Sequence, residues 1–126
     1  MEKPLPKPTD SELSILQVLW RNGPSTVKVV QEALGEDTGY TTALKFLQIM
    51  TEKGLVRRNE EQRAHVYEAC GSEDETQQQL VSGLLKKAFG GSSSKLVMQA
   101  LATKRATPEE LEEIKKLINQ ISKERE

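Results

Sequence analysis

One change of hydrophobic period constrains this chain more than any other feature. Between residues 9 and 54, apolar side chains recur at three- and four-residue spacing in three short blocks; two strand-like runs follow, and after Gly71 only the helical period returns. Thr9-Asp10-Ser11-Glu12 has the form of a capping box, in which the first and fourth side chains satisfy backbone donors at a helix start. Leu13, Leu16, Leu19 and Trp20 follow at helical spacing until Asn22-Gly23-Pro24 stops the helix. A second helix starts at Pro24-Ser25-Thr26, buries Val27, Val30, Ala33 and Leu34, and ends at Gly35. The third spans about residues 40–53, with Ala43, Phe46, Leu47 and Met50 inward and Gly54 closing it. Residues 55–58 and 64–68 then read as two strands joined by a polar turn. Three short helices and a hairpin, joined by short connections, make the pattern of a winged helix-turn-helix.

The remainder is helical. Ser72-Glu73-Asp74-Glu75 caps a helix whose stripe is Leu80, Leu84, Leu85 and Phe89, broken by Gly90-Gly91. A shorter helix carries Leu96, Val97, Ala100 and Leu101. Thr107-Pro108-Glu109-Glu110 is a second capping box with proline at the first helical position, and Leu111, Ile114, Leu117, Ile118 and Ile121 recur behind it. The expected architecture is mainly α with a small β-hairpin. An extended, mobile tail (1–8) precedes a winged helix-turn-helix domain (9–71) and a three-helix C-terminal dimerisation arm (72–126). Three short helices are too shallow to bury their own apolar faces. They fold back on the first domain or interdigitate with a second copy, and the shortage of aromatics (one Trp, two Tyr, two Phe) favours the second. The candidate dimerisation residues are Leu80, Leu84, Leu85, Leu96, Leu101, Leu111, Ile114, Leu117, Ile118 and Ile121.

Several function classes are disfavoured. No apolar run approaches the length of a membrane span, and the Pro- and Lys-rich start lacks the apolar core of a secretory signal. A lone cysteine, Cys70, suits a reducing cytoplasm. His65 and Cys70 fall short of the three or four ligands of a zinc site, so a strand histidine and a buried thiol are expected, with no metal or cofactor. His65 has no suggestively spaced carboxylate for a triad, and Gly90-Gly91-Ser92-Ser93-Ser94-Lys95 lacks the order of a phosphate loop. No enzyme chemistry is therefore expected. A net charge of -1, from 18 basic and 19 acidic residues, announces no nucleic-acid partner, so local placement must decide.

That placement centres on the third helix. Thr41, Leu44, Lys45, Gln48 and Glu52 share one side, opposite Ala43, Leu47 and Met50, and Thr42 flanks them. In a helix-turn-helix the start of this helix enters the major groove. There hydroxyls bond phosphates or base edges, Lys45 reaches guanine or phosphate, Gln48 pairs with adenine and Leu44 touches a thymine methyl. A solvated helix face would carry the same residue types. The hairpin adds Arg57, Arg58, Arg63 and His65 where a wing would lie; residues 40–67 hold five Lys+Arg against three acids. Arginines there would contact phosphates, although charges also protect exposed edge strands.

Tyr40-Thr41-Thr42-Ala43-Leu44-Lys45-Phe46-Leu47, with Glu52-Lys53-Gly54-Leu55-Val56-Arg57-Arg58, resembles the signature of the penicillinase repressor family, small bacterial winged-helix repressors of beta-lactamase and related genes. Glu12-Leu13 and Val18-Leu19-Trp20 resemble the family's first helix, and the resemblance runs from about residue 8 to residue 121. It implies a homodimer held by the C-terminal helices on a palindromic DNA operator, with contacts from Thr41, Thr42 and Lys45 and phosphate contacts from the wing. Two departures stand out. The family often carries arginines late in the recognition helix, where this chain has Gln48 and Ile49. Members of the beta-lactamase type are inactivated when a metalloprotease pathway cuts an Asn–Phe bond; the aligned positions here read Gln99-Ala100. The copper-responsive relatives' C-terminal cysteine cluster is absent. The competing class is a winged-helix protein–protein interaction module without DNA binding.

Overall fold

Thr9 caps α1 (Asp10–Asn22) in the expected manner: the Glu12 amide donates to Thr9 Oγ1 at 3.2 Å, and the Thr9 amide donates to Glu12 Oε1 at 2.9 Å. The computed structural model describes residues 6–61 and 63–125. Most of the expected tail, and Gln62 in the expected turn, lie outside the described residues. The helix ends at Gly23, whose φ of 79° is open to glycine and costly for other residues. Then come β1 (Ser25–Thr26), α2 (Val27–Leu34), α3 (Tyr40–Lys53), β2 (Val56–Asn59), β3 (Val66–Ala69), α4 (Glu73–Ala88), α5 (Ser93–Thr103) and α6 (Pro108–Glu124).

The hairpin is part of a three-stranded antiparallel sheet in the order β1-β3-β2. Sequence reading missed β1, because two residues show no alternation; Ser25 pairs with Tyr67 and Thr26 with Val66. Both hairpin strands begin later than expected. Leu55 belongs to the turn after α3, where its amide donates to the Met50 carbonyl, and Ala64 and His65 precede β3. Gly54, at φ 82°, reverses the chain between α3 and β2 and donates its amide to the Met50 and Thr51 carbonyls.

The chain divides into two compact units, Met1–Ser82 and Gly83–Glu126, with the division inside α4. The first unit holds the core: Ile15, Leu16, Val30, Leu47, Met50, Val56 and Tyr67 are fully buried, drawn from α1, α2, α3 and both hairpin strands. Each such side chain contributes about 1.5–3 kcal/mol by leaving water, so the sheet clamps the open end of the three-helix cluster. Ile15 and Val18 join Leu16 and Leu19 inside, making the buried face of α1 wider than the expected stripe, while Leu13 and Trp20 are half-buried. Ala33, expected inside, is exposed near the end of α2. The Trp20 indole N–H donates to the Gly71 carbonyl at 3.0 Å and ties the chain leaving the sheet to α1.

The second unit contains the end of α4, α5 and α6. Ser92 caps α5, and the full capping box of Thr107 and Glu110, with Pro108 at the first position, starts α6. Neither α5 nor α6 buries a residue.

Candidate nucleic-acid interface

α3 is held from both ends. Ala43, Leu47 and Met50 anchor its inner side in the core. At its last turn, Lys53 Nζ donates to Glu12 Oε1 at 2.7 Å, and Glu12 is only 3% exposed. Burial of the Glu12 carboxylate works against its ionisation. The Lys53 hydrogen bond and charge, with the two Thr9 hydrogen bonds, outweigh that and hold its pKa below the ordinary glutamate value. The pair joins the first turn of α1 to the last turn of α3 and so fixes how α3 lies across the core.

The opposite side of α3 faces outward. Thr41, Thr42, Lys45 and Gln48 are exposed. Leu44 is half-buried and packs against the core, which removes the oddity of a fully exposed leucine there. Thr51 lies further along and spends its hydroxyl on the Leu47 carbonyl at 2.7 Å. The start of α3 differs from the other helix starts. α1, α2, α5 and α6 are each capped by a Ser or Thr side chain, and Ser72 accepts from the Glu75 amide at the start of α4. α3 is preceded by Gly39, has no side-chain cap and carries no acid in its first turn. The positive end of its dipole is therefore left unneutralised by its own side chains, beside Thr41 and Thr42.

The wing residues divide by strand alternation. Arg57 stands opposite Glu68 and is ion-paired to it, so both lie on the sheet face away from Tyr67. Arg58 stands opposite the buried Tyr67 and is ion-paired to Glu60. The hydrogen bond that each arginine donates to its carboxylate raises the arginine's pKa further above the ordinary value. Arg63 and His65 are exposed in the stretch before β3. Cys70 is exposed too, contrary to the expected buried thiol: its amide still donates to the Leu55 carbonyl at 2.9 Å, and strand alternation puts its side chain on the Glu68 face, away from that of the buried Tyr67.

Between α3 and the wing runs a cleft of about 670 Å³, lined by Thr26, Val27, Lys28, Tyr40, Leu44, Gln48, Arg58, Arg63, Ala64, His65 and Tyr67. It brings together Leu44, Gln48, Arg58 and Arg63 from the expected contact set, while Thr41, Thr42, Lys45 and Arg57 lie outside its lining. Lys28 and Tyr40 are neighbours that sequence reasoning did not place there. Lys28 sits on a helix whose only sequence signal was its buried stripe, and one exposed lysine carries no period. A groove on the other side of Arg58 is lined by Gln48, Thr51, Glu52, Arg57 and Cys70 among others. Among the described residues, no group of three or more His, Cys, Asp or Glu is placed to hold a metal ion, and no helix is long and apolar enough to cross a membrane.

The model of a protein family described as penicillinase repressor matches residues 8–120. The chain belongs to the penicillinase repressor family. This is a family of repressors and not of enzymes. Two curated relatives, both named transcriptional regulator BlaI and from Mycobacterium tuberculosis strains CDC 1551 and H37Rv, are 39% identical over 83 residues. That match covers 64% of this chain and 57% of each relative, so the chain spans little more than half the length of the curated relatives it matches. Among solved structures it is similar to the monomeric form of BlaI from Bacillus licheniformis, determined in complex with the blaP half-operator. The TM-score is 0.50 at 25% identity, over 60% of this chain and 93% of that one. A MarR family protein from Bacillus stearothermophilus has a TM-score of 0.51 at 16% identity, covering 93% of this chain and 74% of that chain. That likeness speaks for the winged-helix fold alone.

Proposed function

We propose that this penicillinase repressor family member is a cytoplasmic, sequence-specific DNA-binding repressor that acts as a homodimer on a palindromic operator in double-stranded DNA. The observation that carries the reading is the exposed face of α3. Thr41, Thr42, Lys45 and Gln48 stand clear of a helix whose inner side is locked into the core, and its positive end has no side-chain cap. Major-groove docking needs such a helix: rigid, protruding and rich in donors and acceptors. Arg58 and Arg63 lie beside it for the phosphate backbone, and Arg57 extends the wing's outer face. The solved BlaI complex with a half-operator supports the same use of this fold.

Residues 9–71 form the reading module in this proposal, and residues 72–126 the dimerisation arm. Leu80, Leu85, Leu96 and Ile114 are half-buried; Leu84, Leu101, Leu111, Leu117, Ile118 and Ile121 are exposed by 37–56%, and a second copy of the arm would cover them. Repression follows by occlusion, since polymerase cannot use a promoter that the dimer occupies. Half-sites lie about 10 base pairs apart, or a multiple of that, so that both α3 helices meet one face of the duplex. The proposal does not extend to a regulatory protease: the bond aligned with the family's cleavage position joins Gln99 to Ala100 within α5.

The test is a binding titration on the promoter region upstream of the chain's own gene against a scrambled duplex. The wild type binds the promoter more tightly, and Lys45→Ala removes about 1–3 kcal/mol of that preference. Equal loss on both duplexes would take Lys45 out of the reading role. Absence of any salt-sensitive duplex binding would leave the protein-interaction module as the reading.

A further inference from the structure

Arg58 stands where three surface features meet. It lines the cleft beside α3, the groove on its other side, and a third recess of about 610 Å³ that it shares with Arg57, Asn59, Glu60, Glu61 and Glu68. Its ion-pair partner Glu60 borders the second and third of these and not the cleft. A guanidinium held by Glu60 is thus directed away from the cleft. Among the described residues, Lys28, Lys45 and Arg63 have no carboxylate within ion-pair distance, whereas both β2 arginines do.

The two wing pairs differ in what they do for the fold. Arg57 and Glu68 stand directly opposite across the ladder, a pairing that supports the hairpin. Glu60 follows Asn59, the last paired residue of β2, so it holds no strand in register. Its position is nonetheless set. The Asn59 side-chain oxygen accepts the Glu61 amide at 2.9 Å, which turns the chain just past β2 and leaves Glu60 against Arg58. A carboxylate with no part in the ladder, kept beside an arginine of the reading surface, offers that arginine the same kind of charged acceptor as a phosphate does.

Resting on the DNA-binding reading, we infer that Glu60 is a built-in competitor for Arg58 that sets how tightly each reading head binds. Arg58 has two stations, Glu60 in the free protein and a phosphate in the complex. Moving between them breaks one ion pair, makes another and leaves Glu60 unpaired beside the duplex; no covalent bond changes. The cost falls on every duplex alike, because phosphates carry no sequence. The Arg58 and Glu60 side chains are 39% and 59% exposed, and an exposed pair changes an equilibrium by at most about fivefold. Glu60 therefore tunes binding and does not block it. In the proposed homodimer, a head weakened in this way leaves stable occupancy to two heads acting together.

The test is a double-mutant cycle read by fluorescence anisotropy. The full-length chain is titrated over a salt series against the promoter duplex and the scrambled duplex. Glu60→Gln tightens binding to both by about two- to fivefold at the low-salt end. Glu61→Gln removes the same charge from the same turn without freeing an arginine, and gives a smaller gain. In an Arg58→Ala background, Glu60→Gln gives no more than Glu61→Gln does. Glu60 and Glu61 are both exposed, so unchanged melting curves certify folded variants. No gain from Glu60→Gln, a gain that Glu61→Gln equals, or one that survives Arg58→Ala undiminished overturns the competition while leaving DNA binding standing. A wild type that binds neither duplex overturns the DNA-binding reading itself.

Discussion

Replacing Lys53 with methionine destabilises the first unit more than replacing both Lys53 and its partner Glu12, the reverse of what two independent losses would give. Glu12 Oε1 takes hydrogen bonds from Lys53 Nζ at 2.7 Å and the Thr9 amide at 2.9 Å, with the glutamate side chain 4% exposed. Lys53→Met strands that carboxylate with the Thr9 donors alone. Removing one partner of a fully buried pair costs about 3–5 kcal/mol. Lys53 is 32% exposed, so solvent already screens part of the pair, and about 2–3 kcal/mol is expected here. Glu12→Gln keeps an acceptor for Thr9 and lets Lys53 turn to water, costing about 1 kcal/mol. The double variant loses less than Lys53→Met, because no buried charge is left alone. The pH profile supplies an independent check. The Glu12 pKa is lowered in the fold, so its contribution is fully present above the unfolded value near 4.5 and is lost as pH falls through the folded value. The wild-type advantage over Glu12→Gln is therefore constant near neutrality and shrinks in acid. Urea unfolding followed by the fluorescence of Trp20, the single tryptophan, at one fixed protein concentration measures all four proteins. A double variant less stable than Lys53→Met, or a Glu12→Gln difference that persists undiminished to pH 3, refutes the account.

Arg58→Ala weakens promoter and scrambled duplex about equally and lowers the salt slope by about 0.9, as expected of a phosphate contact and read from the same titrations. Leu117→Asp, at a site 56% exposed, halves the particle mass in light scattering, and loss of the second reading head lowers operator affinity by about 10²–10⁴; an unchanged mass would remove α6 from the interface. Gly54→Ala meets no atom within 4 Å, so its cost is that of the left-handed backbone at φ 82°, about 1–2 kcal/mol by urea unfolding.

The parts of this fold that were legible in the sequence are those whose causes are local. α3 begins and ends where Gly39 and Gly54 allow, and both capping boxes form as their four-residue signatures dictate. Features that depend on distant partners were not legible. Glu12 explains itself as the fourth residue of a capping box, and nothing in its neighbourhood reveals that Lys53, 41 residues away, ends on the same carboxylate. β1 is two residues long and exists because β3 offers it an edge. Leu44 looks stranded on an outer helix face until the sheet brings Tyr67 to the same cleft and half covers it. Cys70 reads as a small apolar residue at a strand end, and its exposure follows from the hairpin register, which puts it on the outer face with Glu68. The exposed donors of α3 were readable from helical periodicity, whereas the inclusion of Lys28 in their neighbourhood required the packing of α2 beside α3.

The two units rest on different physics, and that difference bears on how repression could be relieved. The first unit is closed: its apolar face is covered, its buried carboxylate is paired, and α3 is pinned at both ends, so little about the reading surface can change without unfolding it. The second unit is open, with two helices that bury nothing and apolar side chains in water. Such a surface gains its stability from what covers it, and coverage depends on concentration in a way that a folded core does not. In the proposed homodimer, bivalency couples the two: a change that loosens the arm by about 2–3 kcal/mol leaves each reading head intact and still lowers occupancy of a paired site roughly a hundredfold. In the proposed dimeric repressor, a releasing signal therefore acts most economically on the arm, where small energies decide assembly, and not on α3, whose geometry the core and the Glu12–Lys53 pair hold fixed.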